Sequence, residues 1–290
     1  MIDAHHHLWD LNAVNYPWLM EKGKRRFFGD PTPIQRNYLI DEHIKLANEL
    51  GFKGSVHIQV GAADGLEEAQ WINRVVNENQ SWPMVQVAFC DLSSDQREVH
   101  LDKLQKLSSV VGVRQIIGRS PAEDANSKTN ELLTSDNFMQ GLQSISDRGL
   151  TFDLQIIPEL LKTCASVFSQ FPNLQVILCH AGSPYNRTLE GIKSWAGDLI
   201  HLSNLSNVSC KLSGLGMFDH NWTGSTVAPI VTTVMDQFGS KRVMFGSNFP
   251  VDSLSSSFEQ LFTRLSSNID EKDFEDVFSK TAQRIYFSNF

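Results

Sequence analysis

The chain has 290 residues, 41% of them hydrophobic and 20% charged, with a net charge of −8 spread along its length. No basic stripe is available to neutralise phosphates, so nucleic acid is not an expected partner. No stretch approaches the roughly 18 apolar residues of a membrane span, and the start of the chain has no apolar leader segment, so membranes are excluded and a cytoplasmic setting is expected.

Four cysteines (Cys90, Cys164, Cys179 and Cys210) are dispersed without a CxxC pair and read as buried free thiols. The basic run Lys22, Lys24, Arg25, Arg26 reads as a solvated loop face.

In chain order, eight short β-rich runs each precede a stretch of helical periodicity. The runs are IDAHHHLWD (2–10), KGSVHIQVG (53–61), MVQVAFCDL (84–92), VVGVRQIIG (110–118), LTFDLQII (150–157), LQVILCHAG (174–182), VSCKLSGLG (208–216) and RVMFGSNFP (242–250). Most are near-continuous apolar stretches that end in Gly, Asp or Pro, which is how a strand buried on both faces reads. Amphipathic helices are expected over 41–50, 64–80, 95–107, 137–149, 158–171, 188–203 and 225–239, with one or two more in 256–290. Pro158 opens its helix, where a missing N–H costs nothing.

Eight β-then-α units predict a single (β/α)8 barrel over 1–290. A doubly wound sheet would place a glycine-rich phosphate turn after its first strand, and histidines stand there instead. Two connections exceed ordinary length, 11–39 and 118–136. Both follow strands, so both are expected over the C-terminal face of the barrel, as a lid or binding wall.

Chemistry concentrates at that face. Alternation along a strand points His5 and His7 one way and His6 the other, leaving His6 a bystander. His180 is expected at the matching end of strand six. Three imidazoles so placed serve as metal ligands, acid–base groups or hydrogen-bond donors. His43, His100 and His201 lie in helical runs and read as surface residues. His57, within strand two, reads either way.

Arg114 offers a grip on a carboxylate or carbonyl, the alternative being a surface salt bridge. Gln59, Gln155 and Lys211 interrupt apolar runs and need partners, which substrate hydroxyls can supply. Trp9, Trp18 and Arg119 are candidate walls of the pocket.

His5-x-His7, "CHAG" around His180 and "MFGSNFP" on strand eight, together with "YPWL", "GVRQ", "FDLQI" and "KLSGL", resemble the amidohydrolase superfamily across nearly the whole chain. The nearest branch is the amidohydrolase-2 group of lactonase-like barrels. The resemblance implies hydrolysis of a small polar lactone, a sugar-acid or dicarboxylate lactone, by water attack on the ring carbonyl.

Strand four carries Arg114 and Gln115 and no lysine that could be carboxylated to bridge two metals. Where the superfamily commonly has Gly-Ser-Asp-Trp-Pro, this chain has Gly246-Ser247-Asn248-Phe249-Pro250. An amide has no useful basicity, so Asn248 orients and does not deprotonate. Asp252 then either supplies the missing carboxylate or caps the following helix.

The expectation is therefore a hydrolase in which His5, His7 and His180, aided by Arg114, stabilise the oxyanion while Asp252 or His180 activates water. No cofactor is expected to be required. The alternative is one Zn²⁺ on His5, His7 and His180. Rival readings are a metal-dependent decarboxylase or C–C lyase of the same superfamily, and a catalytically degenerate barrel that binds a small acid. Exposed helices leave room for a homo-oligomer without specifying one.

Overall fold

The structure is a computed structural model and describes residues 1–288. Eight parallel strands form one sheet in sequence order: β1 (Asp3–His6), β2 (Ser55–Ile58), β3 (Met84–Ala88), β4 (Val110–Val113), β5 (Thr151–Leu154), β6 (Val176–Leu178), β7 (Val208–Leu212) and β8 (Val243–Phe245). The sheet curls round until its last strand meets its first. Asn248 N donates to His5 O at 2.7 Å, and His7 N donates to Phe249 O at 2.7 Å. Helices alternate with the strands, and the expected (β/α)8 barrel is the fold.

Each expected helix forms near its predicted bounds, and local chemistry explains the ends. Asp64 accepts from Leu66 N and Glu67 N to start Gly65–Glu78, Thr188 accepts from Gly191 N to start Leu189–Ser203, and Ser257 forms a capping box with Gln260 ahead of Phe258–Ser266. The long connection 11–39 holds only a short helix, Pro17–Met20, and a 3-10 turn. The second, 118–136, holds Pro121–Ser127 and another 3-10 segment. No helix among the described residues is long and apolar enough to cross a membrane.

Two apolar cores result. A small one fills the barrel: Ile2 just before β1 and Ala4 on it, Val56 and Ile58 on β2, Val85 and Val87 on β3, Ile177 on β6 and Met244 on β8. Tyr286 packs into it from the C-terminal helix Thr281–Tyr286. A larger core lies between strands and helices. Its densest part is aromatic, with Phe245 at 5.3 Å from both Phe52 and Phe278, ring centre to ring centre, and at 6.1 Å from Phe262.

All four cysteines are buried and free. Of the three helical histidines expected at the surface, one is there and two are not. His201 is exposed and His100 half-buried, but His43 is fully buried, because the face it shares with Ile40 and Ala47 packs onto β1.

Truncating Phe245 leaves a cavity that three flanking rings cannot fill without moving. Phe245→Ala is expected to destabilise the fold by about 3–5 kcal/mol, read as a lowered urea midpoint at unchanged slope.

Candidate functional site

Strand one does not alternate simply. Its register against β2 shifts between Asp3 and His6. This bulge lets Ala4 join the barrel core while His5 still faces the ring cluster above it. The His5 ring stands 5.1 Å from that of His7 and 4.6 Å from that of His180. The three predicted imidazoles are thus neighbours.

His180 reaches them from a turn rather than from strand six. β6 ends at Leu178, and His180, Ala181 and Ser183 have φ of 56°, 52° and 56°. Non-glycine residues rarely adopt this left-handed region, and such strain concentrates at functional sites. No pattern in the sequence signals it. His180 Nδ1 is fixed by Ser213 Oγ at 2.9 Å. Its Nε2 has no protein partner among the described residues. Gly214, at φ 62°, leaves the room: a Cβ there would lie 2.3 Å from His180 Nδ1.

Above these residues lies a cavity of about 280 Å³. Its polar lining comes from His7, Arg114, Gln155, His180 and Asn248, at or just beyond the C-terminal ends of strands. The rest is apolar, with Trp18, Phe27 and Phe28 from the first long connection and Ile116, Met217 and Val251 from others. Arg26 and Arg119 add two cations. Arg26 is no solvated loop residue: it forms a two-pronged ion pair with Glu123, each contact 3.0 Å, and ties the two long connections together.

Burial governs the charges of the floor. Desolvation holds His180 down to about 3, and desolvation with the Arg114 charge holds His7 well below the usual imidazole range. Both are neutral at pH 7. His7 Nδ1 lies 2.7 Å from Ile58 O, and a carbonyl only accepts, so Nδ1 carries the proton and Nε2 a bare lone pair.

Asn248 stands between that lone pair and Asp252. One end of its amide is 3.2 Å from His7 Nε2 and the other 2.9 Å from Asp252 Oδ1. With Asp252 ionised, the amide nitrogen donates to the carboxylate and its oxygen confronts the lone pair. With Asp252 protonated, a half-turn of the amide lets nitrogen donate to His7 while oxygen accepts from the acid. Burial raises Asp252 to about 7, so the two arrangements exchange near neutrality.

The sequence model of the amidohydrolase family matches residues 2–287. The chain belongs to this family. It is 32% identical over 266 residues to an uncharacterized protein, y4mH, of Sinorhizobium fredii, covering 90% of this chain and 89% of that one. It is 22% identical over 271 residues to an L-fucono-1,5-lactonase of Burkholderia multivorans, covering 90% and 85%. A crystal structure of an amidohydrolase from Burkholderia multivorans with bound zinc superimposes with a TM-score of 0.84 at 21% identity, covering 99% and 98% of the two chains.

That zinc overturns the expectation that no cofactor is required, and the barrel itself offers donors. Ligand atoms of His5, Asp153 and Cys179 lie within 4.8 Å of one another, all buried. Among the described residues both ring nitrogens of His5 lack a hydrogen-bond partner, an unusual state for a buried polar group. Imidazole, carboxylate and thiolate form a donor set that suits zinc. Asp153 and Cys179 escape sequence reading because FDL and ILC read as ordinary apolar strand. Only the register, which pairs Asp153 with Ile177, turns Asp153 into the barrel.

Several candidate residues take other positions in this amidohydrolase. Lys211 is fully buried below the cavity, with Nζ 2.5 Å from Asp153 Oδ2. Tyr286 donates to the other oxygen of Asp153 at 2.7 Å. Gln59 is turned to Gly61 N and Arg114 O, and Trp9 donates to Arg36 O, so neither lines the cavity. Asp252 is sealed beneath Asn248 and caps nothing downstream, since Ser257 does that.

His6 is no exposed bystander. It is stacked on His43 at 3.8 Å and has His57 at 6.0 Å, all three buried against the helix layer.

A carboxyl raised on folding from 3.8 to about 7 stabilises the protein fully below pH 4, and that contribution is lost as pH rises through 7. Relative to wild type, Asp252→Asn is therefore expected to gain stability between pH 4 and 7, by up to about 1.4 kcal/mol per pH unit. Urea denaturation across that range checks it; parallel curves would remove the proton from Asp252.

Proposed function

We propose that this amidohydrolase hydrolyses a small lactone by addition of water to the ring carbonyl, with a divalent metal held by His5, Asp153 and Cys179. The observation that carries the reading is the cavity floor, where neutral imidazoles, an amide and a guanidinium converge beneath apolar walls. Full-length similarity to L-fucono-1,5-lactonases supports the reaction class.

The floor has the parts that addition to a carbonyl needs. Arg114, fixed by Gln155 Oε1 at 3.0 Å and by Gln59 O, presents a positive charge to the oxyanion that forms. His180, neutral and with Nδ1 donating to Ser213 Oγ, offers the lone pair of Nε2 to take the proton of the attacking water. Asn248 orients that water and has no basicity of its own. His7, bound to the Ile58 carbonyl, holds the amide of Asn248 from one side and Asp252 holds it from the other.

Metal binding requires loss of the Cys179 proton, which desolvation and the Asp153 charge otherwise retain up to about 12. A divalent cation held by His5, Asp153 and Cys179 would supply Lewis acidity. The cavity volume, near the lower end of the range for small-molecule sites, favours a monocyclic or bicyclic ring over a polymer.

The deciding assay is hydrolysis of a lactone panel, followed by a pH indicator, with protein stripped by chelator and then reloaded with zinc. The expected result is turnover of at least one lactone by the reloaded protein, loss on stripping, and about one zinc per chain that falls in Cys179→Ser. Absence of turnover across the panel by zinc-loaded protein would sink the lactonase reading. Gly214→Ala, by displacing the His180 ring, is expected to lower kcat/KM by about 10²-fold in protein that remains folded, with a lowered melting temperature because alanine is strained at φ 62°.

A further inference from the structure

The three arginines of the cavity are not equivalent. Arg114 is committed to the barrel: two of its nitrogens donate to Gln155 and Gln59, and Nε is sealed from solvent. Arg26 is committed to Glu123 and stands over the rings of Trp18 and Phe28. Arg119 is half-buried in the wall, and among the described residues its guanidinium donates to nothing.

Its acidic neighbours are engaged elsewhere. Both oxygens of Asp124 accept from the backbone N of Arg119, at 3.0 Å each, and Glu123 is held by Arg26 and Phe27 N. Among the described residues no Asp or Glu lines the cavity. A ligand that expels water from this wall must therefore match a charged fork of donors or leave it unpaired, at about 1–3 kcal/mol for each buried group.

The same wall rejects the opposite chemistry. Away from the floor, and apart from Arg26 and Arg119, the lining is apolar, chiefly Trp18, Phe27, Phe28, Met217 and Val251, and offers hydroxyl groups no side-chain partner. A polyhydroxylated ring would bury unpaired hydroxyls there, whereas a flat ring packs on aromatic faces.

We propose that the substrate is a lactone with a flat, largely unhydroxylated ring bearing a carboxylate, and that Arg119 is the residue that selects the carboxylate. The lactone-hydrolase reading locates the reacting carbonyl at the floor; the anion site at Arg119 is independent of it.

Two matched pairs of probes test this. The first is dihydrocoumarin-6-carboxylate and its carboxamide, assayed for hydrolysis with zinc-loaded protein. The second is 2-tetralone-6-carboxylate and its carboxamide, ketones that cannot be hydrolysed, assayed by calorimetry. The carboxylate is expected to be preferred over the amide by about 10- to 100-fold in each pair, the range of a charge-assisted hydrogen bond.

In Arg119→Gln that ratio falls toward one. In Arg119→Lys, which keeps the charge and loses the fork, a smaller preference remains, separating loss of charge from loss of fold. Equal affinity for carboxylate and amide in wild type, no measurable binding of either ketone at millimolar concentration, or a preference unchanged in Arg119→Gln would each overturn the assignment. Preferential binding of the ketone carboxylate without hydrolysis of either lactone would discard the lactonase reading and leave the carboxylate site standing.

Discussion

The seam between β1 and β8 is the constraint on which the site depends. Asp3 accepts from Ser247 N and Ser247 Oγ at 2.8 and 2.6 Å, across 244 residues of sequence, and the paired backbones of 5–7 and 248–249 continue the join. These groups are buried, so leaving them unpaired would cost about 1–3 kcal/mol each. That penalty forces the last strand onto the first, and so brings Asn248 to His7. A barrel with this seam open would have the same residues and no floor.

Polar groups packed around the seam carry much of the barrel's specificity. Asp153 lies at the centre, held by Lys211 and Tyr286 and close to His5 and the Cys179 thiol. An ion pair with no solvent exposure adds little net stability, since desolvation opposes the Coulomb gain, but breaking one partner is costly. Its geometric consequence is larger, because it anchors β5, β7 and the C-terminal helix to one point beneath the cavity. On the outer side of β1, His6, His43 and His57 form a second buried stack, with Asp3 and Glu68 at 3.6 and 3.7 Å. The two sides of one short strand thus carry two unrelated histidine clusters, and only one faces the cavity.

The cavity itself divides by origin. Its floor is polar and comes from strand ends, whose positions the hydrogen-bonded sheet sets closely. Its wall is mostly apolar, and its aromatic part comes from the connection 11–39. Bridging the two long connections through Arg26 and Glu123 turns flexible segments into one surface. The arrangement separates a floor set by the sheet from a wall set by loops, which can vary without disturbing the barrel.

Much of this was written in local pattern. Eight apolar runs spaced by amphipathic segments specify strands covered by helices, and right-handed β-α-β crossovers leave few topologies open. Pro158 marks its helical start through its missing N–H, and Ser257 and Thr188 mark theirs through side-chain hydroxyls that accept from the first turn. His7, His180, Arg114, Gln155 and Asn248 were legible as polar groups at the ends of buried strands, and the structure brings them together at the floor of one cavity, with His5 beside His7 and His180.

Contacts between distant elements decided the rest. Nothing near Asp153 in sequence places Lys211, Tyr286 and Cys179 around it. Nothing near His43 shows that its helix turns it onto His6, or that a bulge in β1 brings Ala4 and His5 to one side. The loose guanidinium of Arg119 depends on Arg26 having taken Glu123, a partner 97 residues away. Periodicity reports which face of an element is apolar; which polar groups meet once those faces close is fixed only when the whole barrel has formed.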